Sequence, residues 1–192
     1  MKIDPGLVAF DIDGVIANTM QLFLDIAREV YGVNHVGYSD ITTYQLDQCL
    51  DMAPDVIQSI TDRIIDGDYP CRLAPFEDAG RVLKRLGGFG PLHLVTARPK
   101  AGPMDQWLGE LLPPQQYQVV LETTGSYEAK TEVLKKYNKR YFIEDRLDTC
   151  FLLAEHQITP VLFKQPWNRK PHPFREVGGW AELESLFDFA HE

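Results

Sequence analysis

Short apolar runs alternate with longer amphipathic stretches along most of the chain. The runs occupy residues 7–10 (LVAF), 92–95 (LHLV), 119–121 (VVL), 141–143 (YFI) and 161–163 (VLF). Continuous apolar runs of this length are typical of strands that are covered on both faces of a sheet. The pattern therefore predicts a sheet of about five strands.

Between these runs, apolar residues recur at helical spacing. The predicted helices cover residues 19–31, 54–65, 75–86, 103–111, 128–137, 148–156 and 180–189. Strands that alternate with helices imply right-handed crossover connections and a parallel sheet. We therefore expect an α/β fold with a doubly wound, Rossmann-like parallel sheet.

The segment between the first two runs has a different character. Residues 19–74 contain two amphipathic helical patterns and no convincing buried strand. We therefore predict a small helical insertion at 19–74, placed directly after the first strand, and a core domain formed by residues 1–18 and 75–192.

The composition indicates a folded, acidic protein. Of 192 residues, 19 are Lys or Arg and 28 are Asp or Glu, so the formal net charge is −9, and 44% are hydrophobic. This apolar fraction excludes a disordered chain, and the acidic balance argues against a partner that is a nucleic-acid polymer. No apolar run approaches the roughly 20 residues that span a bilayer. The 3 cysteines form no CxxC motif, so we expect reduced thiols in a cytoplasmic protein without a membrane partner.

Polar residues follow the predicted strands at the points where they end. Asp11 and Asp13 follow the first run, Thr96 follows the second, and Glu144 and Asp145 follow the fourth. Ligands of open α/β sheets bind at the carboxyl ends of the strands. We therefore expect these side chains to converge, although they are far apart in sequence.

Each of these signals has an ordinary structural alternative. An Asp-Gly pair between apolar runs also indicates a β-hairpin, so residues 10–16 could form a hairpin with a type I′ turn. A calcium loop is a second alternative, although the closing glutamate of an EF-hand is missing. Thr96, Glu144 and Asp145 could simply cap the helices that follow them. Lys130 lies among other lysines that suit a solvated face, but its place near a helix start would also suit an anion site.

Taken together, the residues resemble the haloacid dehalogenase (HAD) superfamily of aspartate-nucleophile phosphohydrolases. Its four motifs are a DxDG(T/V) segment after a strand, a Ser or Thr that ends the next core strand, a lysine, and an acidic pair after a further strand. They match, in order, residues 10–15 (FDIDGV), 94–99 (LVTARP), 129–134 (AKTEVL) and 142–146 (FIEDR). One departure is Glu144, where Asp or Gly is commoner, but its acidic character is kept.

The resemblance also covers the insertion and, more narrowly, one branch of the superfamily. Segment 19–74 looks like the superfamily's helical cap. The segments 96–99 (TARP), 130–131 (KT) and 165–169 (QPWNR) look like the branch of 5′(3′)-deoxyribonucleotidases.

This resemblance implies a Mg²⁺-dependent phosphomonoester hydrolase that forms an aspartyl-phosphate. Asp11 would be the nucleophile, and Asp13 would protonate the leaving oxygen and then activate water. Mg²⁺ would be held by Asp11, the backbone carbonyl of Asp13 and Asp145, and Glu144 would contact it through water or orient the pair.

The same resemblance assigns the groups that hold the phosphate. Thr96, the Ala97 backbone N–H, Arg98 and Lys130 would contact the phosphoryl oxygens, with Thr96 and Lys130 also serving catalysis. A small phosphate ester is therefore the expected partner, and the expected substrate is a nucleoside monophosphate. Aromatic and basic candidates for contact with the nucleoside are Phe23, Tyr31, Tyr38, Tyr44, Trp167 and Arg169.

Three other functions stay open at this point. The enzyme could hydrolyse another small phosphorylated metabolite, or act as a phosphomutase that returns the phosphoryl group to a sugar. The fold could also bind a phosphate ligand without turnover, since a fold does not determine a function.

Overall fold

A computed structural model describes residues 2–190 as an α/β fold around one parallel sheet. The six strands lie in the order β3-β2-β1-β4-β5-β6, and every pairing is parallel. Their bounds are β1 Val8–Phe10, β2 Leu92–Thr96, β3 Val119–Thr123, β4 Tyr141–Glu144, β5 Thr159–Phe163 and β6 Arg175–Val177. The predicted doubly wound fold is confirmed.

The strand count differs from the expected five because β6 has no apolar run. Its residues Arg175 and Glu176 are polar, and only Val177 is buried. The strand pairs with β5 alone and forms the edge of the sheet. A three-residue edge strand with polar side chains carries no hydrophobic pattern that the sequence could reveal.

Seven α-helices surround the sheet within the described residues. They are α1 Thr19–Tyr31, α2 Pro54–Asp66, α3 Ala79–Leu86, α4 Gly102–Leu111, α5 Lys130–Lys136, α6 Leu147–Glu155 and α7 Trp180–Glu184. The predictions locate all seven, but α3 begins later than residue 75 and α7 ends earlier than residue 189. The apolar residues beyond these ends pack in loops: Phe76 against Phe163, and Phe187 against Phe10.

The bounds of α1 follow from local chemistry. The Asn18 side chain accepts a hydrogen bond from the backbone N–H of Gln21 and caps the first turn. Gly32 adopts φ 68°, and its N–H bonds back to the carbonyls of Ala27 and Arg28. This left-handed conformation favours glycine, so the sequence places the end of this helix correctly.

Segment 19–74 contains α1, α2 and short 3₁₀ turns at Tyr38–Asp40 and Leu46–Gln48, and none of the six strands. The two helices contact each other, and their buried side chains belong to the same hydrophobic cluster as the sheet. The division into an insertion and a core domain stays a prediction. Residues 1, 191 and 192, which the predicted core includes, lie outside the described residues.

The hairpin alternative for residues 10–16 is wrong. After β1 the chain forms tight turns, in which the Ile12 carbonyl accepts hydrogen bonds from the N–H groups of Ile16 and Ala17. β1 lies between β2 and β4 and pairs in parallel with both, and α1 follows at Thr19. Among the helices of residues 2–190, none is long and apolar enough to cross a membrane.

Candidate active site

Three adjacent strands bring the polar residues together at one edge of the sheet. Asp11 directly follows β1, Thr96 ends β2, and Glu144 and Asp145 lie at the end of β4. β1 lies between the other two, so their carboxyl ends meet. All four residues are buried. The convergence expected from the strand-end rule is therefore present in the structure.

Lys130, the first residue of α5, joins this cluster. Its ammonium lies 2.9 Å from Asp11 Oδ1 and 2.9 Å from Glu144 Oε2, and the side chain is buried. Burial alone would lower the pKa of Lys130, but the two carboxylates outweigh it and raise the pKa. The neighbouring Lys135 and Lys136 form exposed pairs instead. The structure thus distinguishes Lys130 from the solvated lysines.

The three carboxylates at this edge repel one another in a buried space. Burial raises the pKa of Asp11, and the charge of Glu144 raises it further despite the opposing charge of Lys130. Burial likewise raises the pKa of Glu144. Burial and the charge of Asp11 raise the pKa of Asp145 to about 7. The cluster therefore holds negative charge at a free-energy cost that a cation would relieve.

Asp13 lies in a different environment from Asp11. Arg98 contacts both of its carboxylate oxygens, at 2.9 Å from Nε and 2.7 Å from Nη2, and Thr19 Oγ1 donates to Oδ1 at 2.5 Å. Burial would raise the pKa of Asp13, but the charge and hydrogen bonds of Arg98, with the Thr19 bond, hold it below its ordinary value. The two aspartates therefore have pKa values shifted in opposite directions.

Arg98 and Thr96 position each other at the end of β2. The backbone N–H of Arg98 donates to Thr96 Oγ1 at 3.2 Å, and Thr96 Oγ1 lies 3.5 Å from Asp13 Oδ2. Arg98 Nη1 donates to the Ile64 carbonyl of α2 at 3.1 Å. Ala97 lines the same cavity as these side chains, so the residues expected to bind phosphate lie together.

The residues present fit a divalent cation. Oxygen atoms of Asp11, Glu144 and Asp145 lie within 4.8 Å of one another. Asp145 Oδ1 is buried and has no hydrogen-bond partner among the described residues. Three carboxylates with one ammonium leave a formal charge of −2, and carboxylate oxygens are the ligands that Mg²⁺ prefers.

Glu144 differs from Asp145 because both of its oxygens have partners. Oε2 accepts from Lys130, and Oε1 accepts from the backbone N–H groups of Asp145 and Arg146 at 3.1 and 3.0 Å. Its carboxylate therefore fixes the position of Lys130 and of the loop that carries Asp145.

Gly14 leaves room for the Asp145 carboxylate. Its φ is 78°, and a Cβ at this position would lie 2.2 Å from Asp145 Oδ2. Only glycine tolerates both conditions. The glycine of the DxDG segment thus permits close approach between the loop after β1 and the loop after β4.

Two cavities meet at the Asp13–Arg98 pair. A polar cavity of about 250 Å³ is lined by Asp11, Lys130 and Glu144, among others. A larger cavity of about 530 Å³ lies against α1 and α2, and much of its lining is apolar. Four residues line both cavities: Asp13, Tyr44, Ile65 and Arg98.

Comparison with protein families matches residues 6–191 to the family described as 5′ nucleotidase, deoxy (pyrimidine), cytosolic type C protein. The chain belongs to this family. A sequence comparison with curated proteins finds no significant match. The match to the 5′ nucleotidase family covers nearly the whole chain, so it includes both the helical segment 19–74 and the sheet.

Solved structures show the same fold. A HAD-superfamily hydrolase from Ehrlichia chaffeensis has a TM-score of 0.59 at 12% identity, with 96% of each chain covered. A predicted phosphoglycolate phosphatase from Haemophilus somnus has a TM-score of 0.61 at 13% identity, with 94% of this chain and 97% of the other covered. At such identities the similarity shows the fold alone. Membership of the nucleotidase family shows that the chain is a phosphatase, and these neighbours show that it has the fold of HAD-superfamily hydrolases.

Sequence reasoning missed the groups that hold Asp145. Tyr44 Oη donates to Asp145 Oδ2 at 2.7 Å, and Trp167 Nε1 donates to the same oxygen at 2.8 Å. The Asn168 amide donates to the Asp145 carbonyl at 2.7 Å. Trp167 and Asn168 follow β5, the neighbour of β4, so the strand-end rule could have found them. No local signal identifies Tyr44 as their partner.

The side chains expected to contact the nucleoside differ in where they lie. Phe23 and Tyr44 line the larger cavity. Tyr31 hydrogen-bonds to Ser59, and Tyr38 hydrogen-bonds to Gln165. Arg169 forms an ion pair with Glu176. Tyr31, Tyr38 and Arg169 are not among the residues that line the larger cavity.

Proposed function

We propose that this phosphatase hydrolyses nucleoside monophosphates with Mg²⁺, through an aspartyl-phosphate on Asp11. The observation that carries the proposal is the opposite environment of two aspartates two positions apart. Asp11 lies in the acidic cluster beside Lys130, and Asp13 pairs with Arg98. A cation and the Lys130 ammonium would keep Asp11 ionised for attack, and Asp13 could carry a proton once the substrate phosphate draws Arg98 away from it.

Mg²⁺ would be held by the carboxylates of Asp11 and Asp145 and the backbone carbonyl of Asp13, with Glu144 beside them. Oδ1 of Asp145, which has no hydrogen-bond partner among the described residues, supports this assignment. When bound, the cation would neutralise the phosphoryl oxygens and the acidic cluster. Glu144, whose oxygens already have partners, would chiefly orient Lys130 and the Asp145 loop.

The chain's own residues would perform the two chemical steps. Asp11 would attack phosphorus and form the phosphorus–oxygen bond as the bond to the leaving oxygen breaks, while Asp13 supplies the proton. A water that gives its proton back to Asp13 would then attack the phosphorus and release Asp11 and inorganic phosphate. Lys130, Thr96 and the Ala97 N–H would hold the phosphoryl oxygens through both steps.

Arg98 would also contact the substrate, because it lines both cavities. In the structure its guanidinium pairs with Asp13. An anionic phosphate that enters the polar cavity would compete with Asp13 for the Arg98 guanidinium. Substrate binding would therefore be accompanied by release of Asp13 from Arg98.

The larger cavity is our candidate for the nucleoside. Phe23 and Tyr44 offer flat faces there, and Gln45 and Gln58 offer amide groups. Stacking is typically worth ~1–3 kcal/mol per base, enough to favour nucleotides about tenfold or more over sugar phosphates. The family's own description as a 5′ nucleotidase supports this substrate class.

The experiment is a measurement of kcat/KM with Mg²⁺ over deoxynucleoside monophosphates, sugar phosphates and a small phosphorylated acid. Nucleotides should give the highest values. A clear preference for another class would refute the nucleotidase assignment while leaving a phosphatase. Isomerisation of a sugar phosphate without phosphate release would indicate a phosphomutase, and binding without turnover would indicate a binding module.

We also propose that the protein acts in the cytoplasm on small molecules, with segment 19–74 as a helical domain inserted into the core. The net charge of −9 supports the absence of a nucleic-acid polymer as partner. Independent mobility of segment 19–74 in solution, measured by hydrogen exchange, would test the domain division.

A further inference from the structure

The Asp145 carboxylate is held from one side only. Oδ2 accepts hydrogen bonds from Tyr44 and Trp167, at 2.7 and 2.8 Å. Oδ1 is buried and has no hydrogen-bond partner in the described part of the chain. Two donors on Oδ2 fix the rotation of the carboxylate. Oδ1 therefore remains available to a cation at the acidic cluster.

Tyr44 reaches Asp145 from the loop between α1 and α2, whereas Trp167 reaches it from the loop after β5. The Tyr44 ring packs edge-on against Trp167 at 6.3 Å between centroids. The guanidinium of Arg146 lies 4.8 Å from the centroid of the Tyr44 ring. These contacts set the position of the ring, and with it the position of the hydroxyl.

The phenol remains a donor under ordinary conditions. A tyrosine hydroxyl has an ordinary pKa of about 10 and is neutral at physiological pH. A neutral hydroxyl can donate to the carboxylate whether or not a cation is bound on the other oxygen. The contact is therefore compatible with the bound state.

We infer that Tyr44 is a positioning residue, whose hydroxyl turns Asp145 Oδ1 toward the cation site and makes cation affinity depend on the loop between α1 and α2. This inference rests on the proposed Mg²⁺ site. Groups that hydrogen-bond to metal ligands commonly change affinity 10–100-fold when they are removed. The helical segment would thus contribute to the metal site without supplying a ligand.

The test compares Tyr44→Phe with Tyr38→Phe. Tyr38 is a matched control because it lies in the same segment and packs against Trp167, at 5.8 Å between centroids, but its hydroxyl bonds to Gln165. Mg²⁺ binding to each protein is measured by isothermal titration calorimetry, and the Tm of each metal-free protein by thermal unfolding. We expect Tyr44→Phe to weaken Mg²⁺ binding about tenfold, and Tyr38→Phe to leave it within about twofold.

Kinetics give a second readout that a general loosening of the fold would not produce. For Tyr44→Phe, the Mg²⁺ concentration for half-maximal activity should rise, and excess Mg²⁺ should recover activity that is lost at low Mg²⁺. Equal Mg²⁺ affinity in wild type and Tyr44→Phe would overturn the inference and leave the proposed function standing. Equal weakening in both variants would also overturn it. Absence of Mg²⁺ binding to the wild type would refute the inference together with the proposed metal site.

Discussion

The guanidinium of Arg98 contacts both carboxylate oxygens of Asp13, with Nε 2.9 Å from Oδ2 and Nη2 2.7 Å from Oδ1. The third nitrogen donates to the Ile64 carbonyl on α2. Arg98 therefore ties the loop after β1 to a helix that lines the larger cavity. A planar fork of this kind cannot be reproduced by lysine.

Substitution Arg98→Gln should raise the pKa of Asp13. Burial raises this pKa, and Arg98 contributes the largest of the effects that lower it, so removal of its charge and hydrogen bonds lets the pKa rise. Carboxyl ¹³C NMR titration of Asp13 would measure the shift. Lys100→Gln, which removes an exposed pair with Asp66, is the control and should leave the Asp13 titration unchanged.

The stabilisation that the Arg98–Asp13 pair gives the fold depends on pH. A carboxyl group whose pKa is lowered by folding stabilises the fold above its unfolded pKa of about 3.9, and this contribution is lost as the pH falls through the lowered value. The difference in unfolding free energy between wild type and Arg98→Gln should therefore be largest at neutral pH. A difference that grew on acidification would contradict the assignment.

Substitution Asp11→Asn should abolish turnover and leave the protein folded. The amide keeps the shape of the side chain but cannot attack phosphorus. Because burial and Glu144 disfavour the charged carboxylate, its removal should not lower the Tm by more than a few degrees. Phosphate release and thermal unfolding measure the two effects. Wild-type turnover in the folded variant would rule out Asp11 as the nucleophile.

Lys130→Ala should reduce kcat/KM by about a hundredfold or more, since a positioned charge beside the reacting group is worth several kcal/mol. Lys135→Ala and Lys136→Ala remove the same charge from exposed pairs and should change kcat/KM less than twofold. Circular dichroism would confirm that the Lys130 variant folds. Equal effects of the three substitutions would show that Lys130 has no special part in the reaction.

Activity should require Mg²⁺, and Asp145→Asn should raise the Mg²⁺ concentration for half-maximal activity more than tenfold. The substitution removes the charge of a buried carboxylate with a bare oxygen. Asp148→Asn is the control, because Asp148 is exposed in the first turn of α6. Full activity in excess chelator would be incompatible with the metal site.

His93 should make stability fall as the pH is lowered from about 6.5 to 4. Burial and the charge of Lys139 lower the pKa of His93 to about 4, and its Nδ1 has no hydrogen-bond partner among residues 2–190. In this range the unfolded chain binds a proton that the folded one does not, so stability decreases with falling pH. Urea unfolding at pH 7 and pH 5 should show a smaller change for His93→Asn. An identical pH dependence in both proteins would exclude His93 as the cause.

The sequence by itself determined the class of fold and the edge of the sheet where the candidate site lies. Apolar runs long enough for buried strands, separated by amphipathic helices, define a parallel sheet. Parallel strands point their carboxyl ends the same way, so Asp11, Thr96 and Asp145 were placed at one edge of the sheet once their strands were recognised. The bounds of α1 were equally readable, because Asn18 and Gly32 act through bonds to their own neighbours.

Only the tertiary structure decided which side chains meet across elements. Lys130 and Lys135 look alike in sequence, and the packing of α5 on the sheet buries one and exposes the other. The pairing of Arg98 with Asp13 depends on how the loops after β1 and β2 meet, and that of Tyr44 with Asp145 on how segment 19–74 lies against the strand ends. Hydrophobic periodicity encodes which face of an element is buried, whereas these partners are set by contacts between elements that no local pattern records.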